Sequence, residues 1–276
     1  MTQTPTPVTP ATPDSLQTLI YQVRDKVAYV TINRPQRMNA LNRVVLRELA
    51  LVTTWAEEDP EVKCIVLRGA GGKAFSAGVD LKMFHEEGTI DDVGAHLLFT
   101  AQLRDTLIKV ERTPLPVIAA IEGFALAGGL ELALTCDFIL CTDTCQIGDQ
   151  HANYGLMAGG GGTQRLPRKI GVQRGLELLY TAKRLNGPQA VAYGLALRSY
   201  PVDQFDAGIE DLVGQLRTKS RIGFGYMKAT VARGMELPLR DALDLERLAV
   251  QEYFSCHTEA GQGVTDFNSK KRASEL

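Results

Sequence analysis

The sequence predicts an α/β fold, and three observations carry that prediction. Short apolar runs with strand composition recur at 62–68, 116–121 and 137–141. Stretches with helical periodicity lie between them, an amphipathic one at 42–58 and another at 96–111. Glycines mark the exits from the first two runs, at 69–72 and at Gly123, Gly128 and Gly129. Strands separated by helices in a chain of 276 residues argue for repeated βα crossovers.

The elements follow in order. Residues 1–15, MTQTPTPVTPATPDS, carry proline every few positions and no apolar periodicity, so a disordered, solvated tail is expected. They also lack the basic start and apolar segment of a signal peptide. Residues 19–33 read as a hairpin turning at Arg24-Asp25-Lys26, 42–58 as a helix, and 62–68 as a strand that runs into the first glycine turn. A helix is expected over 96–111, a strand over 116–121, a helix over 130–135 and a strand over 137–141. Helices follow at 171–182 and, after the Asn186-Gly187 break, at 188–193. Residues 217–276 read as helical and charged, the one clear shift in composition.

Composition narrows the function. At 45% hydrophobic and 22% charged, the chain can bury a sizeable core. A net charge of −2 gives no reason to expect nucleic acid. No run approaches the roughly 18 uninterrupted apolar residues of a membrane span, so no membrane partner is expected. The five cysteines are an odd number, sit mostly in apolar runs and form no CxxC pair. Buried free thiols and a cytoplasmic protein fit that usage. Cys141 and Cys145, with His151 nearby, have the residue types for zinc; yet the CxxxC falls on an expected strand and its loop, and no HxxxH occurs, so no metal is expected.

The densest chemical signal is VIAAIEGFALAGGLELALT at 117–135. A strand, a glycine loop and a helix in that order expose N–H groups at a helix N-terminus, where developing negative charge is favoured. Gly128 and Gly129 let a substrate carbonyl rest on the main chain, and Glu131 sets a carboxylate beside it. A lone Gly-Gly pair also serves as a tight packing turn. Residues 64–84, CIVLRGAGGKAFSAGVDLKMF, repeat the layout, and two such turns can converge on one oxygen.

These segments resemble the enoyl-CoA hydratase/isomerase (crotonase) superfamily. The resemblance rests on Arg34-Pro35, Asn39-Ala40-Leu41, Phe75-Ser76-Ala77-Gly78-Val79-Asp80 and Gly128-Gly129-Leu130-Glu131-Leu132. Downstream it continues through the glycine-rich 159–167, GGGGTQRLP, to Phe267 with Lys270-Lys271-Arg272, and it spans roughly 19–272. It implies that after the tail (1–15) the chain divides into a crotonase-like spiral core of ββα units (16–200) and a C-terminal helical trimerisation region (201–276), assembled as a homotrimer or as a hexamer made of two trimers. It further implies an acyl-CoA thioester substrate, a place in fatty acid metabolism, and no cofactor beyond the CoA that is part of the substrate. The oxyanion donors implied are the N–H groups of Val79 and Gly128. CoA is expected across Arg37, Met38 and Ala40 on one side and Ala77, Asp80, Leu81 and Lys82 on the other. Phe267 and Lys270 are expected at the nucleotide of a neighbouring subunit.

One position departs from the resemblance. A typical hydratase of the family carries a glutamate where Glu131 stands and a second one twenty residues later; here that second position is His151. The twelve residues from His151 to Thr163 also hold without a gap. An imidazole still works as acid or base near neutral pH. Asp149 lies two residues before it, and an extended segment would put both side chains on one face, where the carboxylate can hold the ring's tautomer. Three readings follow. The first is a hydratase adding water across a 2,3-double bond, with Glu131 and His151 as catalytic pair. The second is another reaction of the superfamily, retro-Claisen C–C hydrolysis or double-bond isomerisation. The third is an acyl-CoA binder without turnover, against which Glu131 argues, because an apolar pocket has no use for a costly buried carboxylate.

Overall fold

The computed structural model describes residues 12–274, with side chains for all of these but 260 and 270–274. Of the tail expected over 1–15, residues 1–11 lie outside the described residues, and Pro13–Ser15 form one 3-10 turn. Strands β1 (Leu19–Arg24) and β2 (Val27–Ile32) pair antiparallel. Asp25 and Lys26 between them both have positive φ, 47° and 65°, as a two-residue hairpin turn matched to strand twist requires. Helix α1 (Arg43–Glu58) starts at Asn42, whose side chain accepts from Val45 N–H at 2.9 Å. Its buried stripe is Val45, Leu46, Leu49, Val52 and Ala56.

From there the chain repeats one step. β3 (Cys64–Gly69) joins a large sheet, β4 (Ala74–Ser76) a small one, and helices α2 (Leu81–Glu86) and α3 (Val93–Arg112) follow. β5 (Val117–Ile121), β6 (Phe124–Leu126) and α4 (Gly128–Leu134) make the second step. β7 (Phe138–Thr142) and β8 (Gln146–Gly148) make the third, with α5 (Gly162–Ile170), α6 (Val172–Thr181) and α7 (Gly187–Tyr193), before β9 (Arg198–Tyr200). The large sheet runs β1-β2-β3-β5-β7-β9, parallel after the hairpin, and the small one β4-β6-β8, all parallel. Stacked ββα steps of this kind form a spiral.

The large sheet is covered on both faces. Ile65 and Leu67 of β3 point into the main core with α1 and α3, whereas Cys64 and Val66 turn the other way with Val27, Ile118 and Leu140. That second face is covered by α8 (Phe205–Arg217) through Phe205, Ile209, Leu212 and Val213. The first helix past Pro201 therefore packs on the spiral core. Helices α9 (Arg221–Gly234) and α10 (Leu239–Cys256) bury no residue, and α11 (Glu259–Ser274) follows them. Among the described residues no helix is long and apolar enough to cross a membrane.

Several expected boundaries move. The helix read at 130–135 begins at Gly128, and the one read at 96–111 runs Val93–Arg112 from an Asp92 cap. The small sheet, β9 and α5 were not foreseen. Strands of three residues are too short for a period-2 pattern to show, and α5 opens out of glycines that read as loop.

Candidate active site

The two glycine turns lie side by side because β4 pairs with β6, Ala74 opposite Phe124 and Ser76 opposite Ala125. After β4 the chain turns at Gly78 (φ 105°), and after β6 it turns at Ala127, a side-chain-bearing residue at φ 48°. The approach is close. A Cβ on Gly78 would stand 3.1 Å from Gly128 N, and one on Gly128 would stand 3.3 Å from Val79 N. Among the described residues neither the Val79 nor the Gly128 N–H meets an acceptor. Two free main-chain donors thus border one space, with the geometry to stabilise a negatively charged oxygen.

Glu131 sits one turn into α4 and is 1% exposed. Its Oε1 accepts from Gly162 N–H at 2.8 Å, whereas Oε2 is buried and accepts from no donor among the described residues. The absence of side chains at Gly160 and Gly162 makes room for it, since a Cβ at Gly160 would come 2.8 Å from Oε2. Burial raises the carboxyl above the usual carboxylate range. The Gly162 hydrogen bond, the charge of His151 and the nearby Gly160 backbone oppose that rise; Asp149 adds to it.

His151 opens the 3-10 turn His151–Tyr154 that follows β8. Its Nδ1 lies 2.9 Å and 3.1 Å from the two oxygens of Asp149, and its backbone N–H donates to Asp149 Oδ1 at 3.0 Å. The pairing expected for these two side chains is present, but its cause differs from the expected shared strand face. Gln150 (φ −120°, ψ 3°) bends the chain, and the carboxylate folds forward onto the residue two positions on, as in an Asx turn. Burial pushes the imidazole pKa down, but the Asp149 hydrogen bond, its charge and the charge of Glu131 outweigh this, and the net direction is up. A carboxyl that holds its proton unusually well and an imidazole favoured as the cation can serve as base and acid in one reaction.

The residues expected around CoA fall into two groups. Residues 38–41 and 77–80 are joined by backbone hydrogen bonds, Ala77 N–H to Met38 O (3.0 Å), Leu41 N–H to Gly78 O (2.8 Å) and Asp80 N–H to Leu41 O (2.9 Å). Arg37, Met38, Ala40, Ala77 and Asp80 are therefore brought together, with exposed Leu81 and Lys82 on the first turn of α2. The Arg37 side chain pairs with Glu86 at 2.7 Å. Buried Asp80 pairs with Arg34 at 2.8 Å, so its carboxylate braces the two loops, and its backbone is bonded to Leu41 O and Met83 N–H. Phe267 is exposed on α11, which packs on α10. The Lys270 side chain lies outside the described residues. Sequence reasoning used Asn39 only within the Asn39-Ala40-Leu41 match; buried on a left-handed turn (φ 54°), its side chain accepts from Arg34 N–H and donates to the Ala70 and Ala74 carbonyls. Among the described residues no three metal-ligating side chains gather.

The spiral matches solved enoyl-CoA hydratase structures. That of Bacillus anthracis superposes with a TM-score of 0.86 at 31% identity, covering 92% of this chain and 97% of that one. That of Mycobacterium smegmatis gives 0.86 at 29% identity, covering 92% and 97%. The class is thereby defined as a crotonase-fold enzyme. The profile of the enoyl-CoA hydratase/isomerase family matches residues 22–274, and the chain belongs to that family. Among curated relatives, a crotonyl-CoA hydratase of Syntrophomonas wolfei and a short-chain-enoyl-CoA hydratase of Clostridium acetobutylicum are each 32% identical over 257 residues, covering 93% of this chain and 97% of theirs.

Proposed function

We propose that the protein hydrates 2-enoyl-CoA thioesters, with Glu131 and His151 as its acid–base pair. The observation that carries this reading is Glu131 itself, a buried carboxylate with one oxygen anchored by Gly162 and the other free to take a proton from water. The thioester carbonyl rests on the Val79 and Gly128 amides. Glu131 takes a proton from water, the hydroxyl adds at C3, and the C2–C3 π electrons move onto the carbonyl oxygen. The enolate then collapses as the His151 imidazolium delivers a proton to C2. The relatives' names support an enoyl-CoA substrate. The paired loops support main-chain contacts to CoA at Arg37, Met38, Ala40, Ala77, Asp80, Leu81 and Lys82, and no cofactor is needed beyond that CoA. Exposed Phe267, with Lys270 beyond it, supports a shared nucleotide site in a homotrimer or hexamer. Five free thiols support a cytoplasmic setting, where fatty acid metabolism would use it.

The Asp149–His151 pair supports a second reading, hydrolytic C–C cleavage of a β-dicarbonyl thioester. One experiment separates the two: wild type, Glu131→Gln and His151→Glu assayed on crotonyl-CoA and on a cyclic β-keto thioester. Hydration predicts that crotonyl-CoA gains the mass of one water and that His151→Glu keeps this activity. Glu131→Gln is expected to lower kcat by about a hundredfold or more with KM nearly unchanged. A Glu131→Gln enzyme retaining half the rate would make that residue structural. Activity on the β-keto thioester alone, lost in His151→Glu, would replace hydration with cleavage.

A further inference from the structure

The peptide that holds Glu131 is itself held from behind. Arg165, on the first turn of α5, makes a two-pronged ion pair with Glu111 at the end of α3, Nε to Oε1 and Nη2 to Oε2, both 2.7 Å. Its third nitrogen, Nη1, donates to Gly160 O at 2.8 Å. The guanidinium lies so close against the loop that a Cβ on Gly161 would stand 2.1 Å from Nη1. The segment 160–162 is therefore clamped between two side chains. One face gives its carbonyl to Arg165, and the other gives the Gly162 N–H to Glu131. A fork that satisfies a carboxylate with two nitrogens and a carbonyl with the third fixes the loop more tightly than a lysine can.

The charges near Glu131 are few. The segment after β8 contributes His151 and Asp149, and α5 contributes Arg165 with Glu111 of α3 behind it. The adjoining β4 and β6 carry only Ala74, Phe75, Ser76, Phe124, Ala125 and Leu126, none of which titrates. We propose that Arg165 and Glu111 form a positioning pair, which aims the Gly162 N–H at Glu131 and sets how much positive charge that carboxylate feels. This rests on Glu131 as the catalytic base, so the test includes a readout that does not need turnover.

The two halves of the pair should act in opposite directions. Arg165→Gln removes a cation and releases Gly160 O, so Glu131 should ionise at a pH about one unit higher. Glu111→Gln leaves the cation uncompensated, so Glu131 should ionise at lower pH. Arg165→Lys keeps the charge without the fork, and is expected to ionise near the wild-type pH while losing about tenfold in kcat with KM unchanged. Infrared titration reads the ionisation directly, as the protonated-carboxyl band that Glu131→Gln deletes. The pH–rate profile on crotonyl-CoA reads it again, as the limb lost on acidification. Opposite shifts for Arg165→Gln and Glu111→Gln in the infrared titration establish the pair even if the hydration reading fails. Unmoved or like-signed shifts, with thermal stability alone lowered, would make the ion pair a cross-brace between α3 and α5 and overturn the proposal.

Discussion

Position 151 holds an imidazole where the sequence resemblance implied a second carboxylate, and under the proposed function that changes the charge logic of the site. Two carboxyls side by side must share a proton; here each charge favours the other, the imidazolium opposing the burial that raises Glu131 and the carboxylate helping to raise His151. Asp149 makes the imidazolium affordable in a half-buried place by sitting 2.9 Å from Nδ1. The consequence is a pH profile whose two limbs belong to the pair, with loss on acidification as Glu131 takes up a proton and loss on alkalinisation as His151 gives one up. The His151 pKa is raised by Asp149, so removing that carboxylate must lower it. Asp149→Asn is expected to move the alkaline limb to lower pH and narrow the profile, leaving the acid limb nearly in place. Steady-state rates across pH on crotonyl-CoA check it. An alkaline limb that stays where wild type has it would remove Asp149 from the chemistry.

At the scale of elements, the site depends on two short strands being side by side, and on a glycine that lets α4 dock beneath them. A Cβ on Gly129 would meet Ser76 O at 2.1 Å, a clash with backbone that no rotamer relieves. Gly129→Ala is expected to cost about 3 kcal/mol and to reduce kcat by pulling Gly128 N–H away from Val79 N–H. Gly214→Ala, on α8 with nothing within 4 Å of a new Cβ, is its control and should stabilise by about 0.5–1 kcal/mol. Urea titrations of both, with kcat alongside, read the two signs. A neutral Gly129→Ala would mean that the turn has slack and that the donor pair tolerates displacement. The glycine turns, Glu131 and the helix-strand alternation were legible in the sequence because glycine placement and apolar period are local. The small sheet was not, because its strands hold only three residues each. Nor was the Arg165–Glu111 fork, which joins residues 54 apart. Asp149 with His151 was legible as a pair but not as a turn, since the bend at Gln150 comes from local hydrogen bonding that spacing alone does not reveal.

The whole molecule has two surfaces of different kinds. The spiral buries its sheet on both faces, whereas the arm made of α9, α10 and α11 buries none of its described residues in α9 and α10. Met227, Val231, Leu248 and Phe254 are each at least half exposed there, and Phe267 is 69% exposed on α11. A run of large apolar side chains on helices that pack mainly on each other is the form an obligate interface takes before its partner arrives. The arm is tied to the core at Lys228, which donates to Asp137 Oδ2 at 2.7 Å and to Leu115 O, so its root is fixed and its apolar side is presented outward. Under the proposed function, assembly through the arm carries Phe267 toward a neighbour's CoA, which would link oligomeric state to substrate affinity. Met227→Glu combined with Val231→Glu puts two charges one turn apart on α9 without touching Glu131, His151 or the turn amides. Light scattering of wild type is expected to give a trimer or hexamer of the 30.1 kDa chain, and of the double variant a monomer. If Phe267 reaches across the interface, the variant's KM for crotonyl-CoA should rise about tenfold or more while kcat changes little, the signature of lost ground-state binding. A monomer with unchanged KM would leave the arm as an assembly surface and return the nucleotide site to the chain's own loops; an unchanged mass would place the interface elsewhere on the molecule.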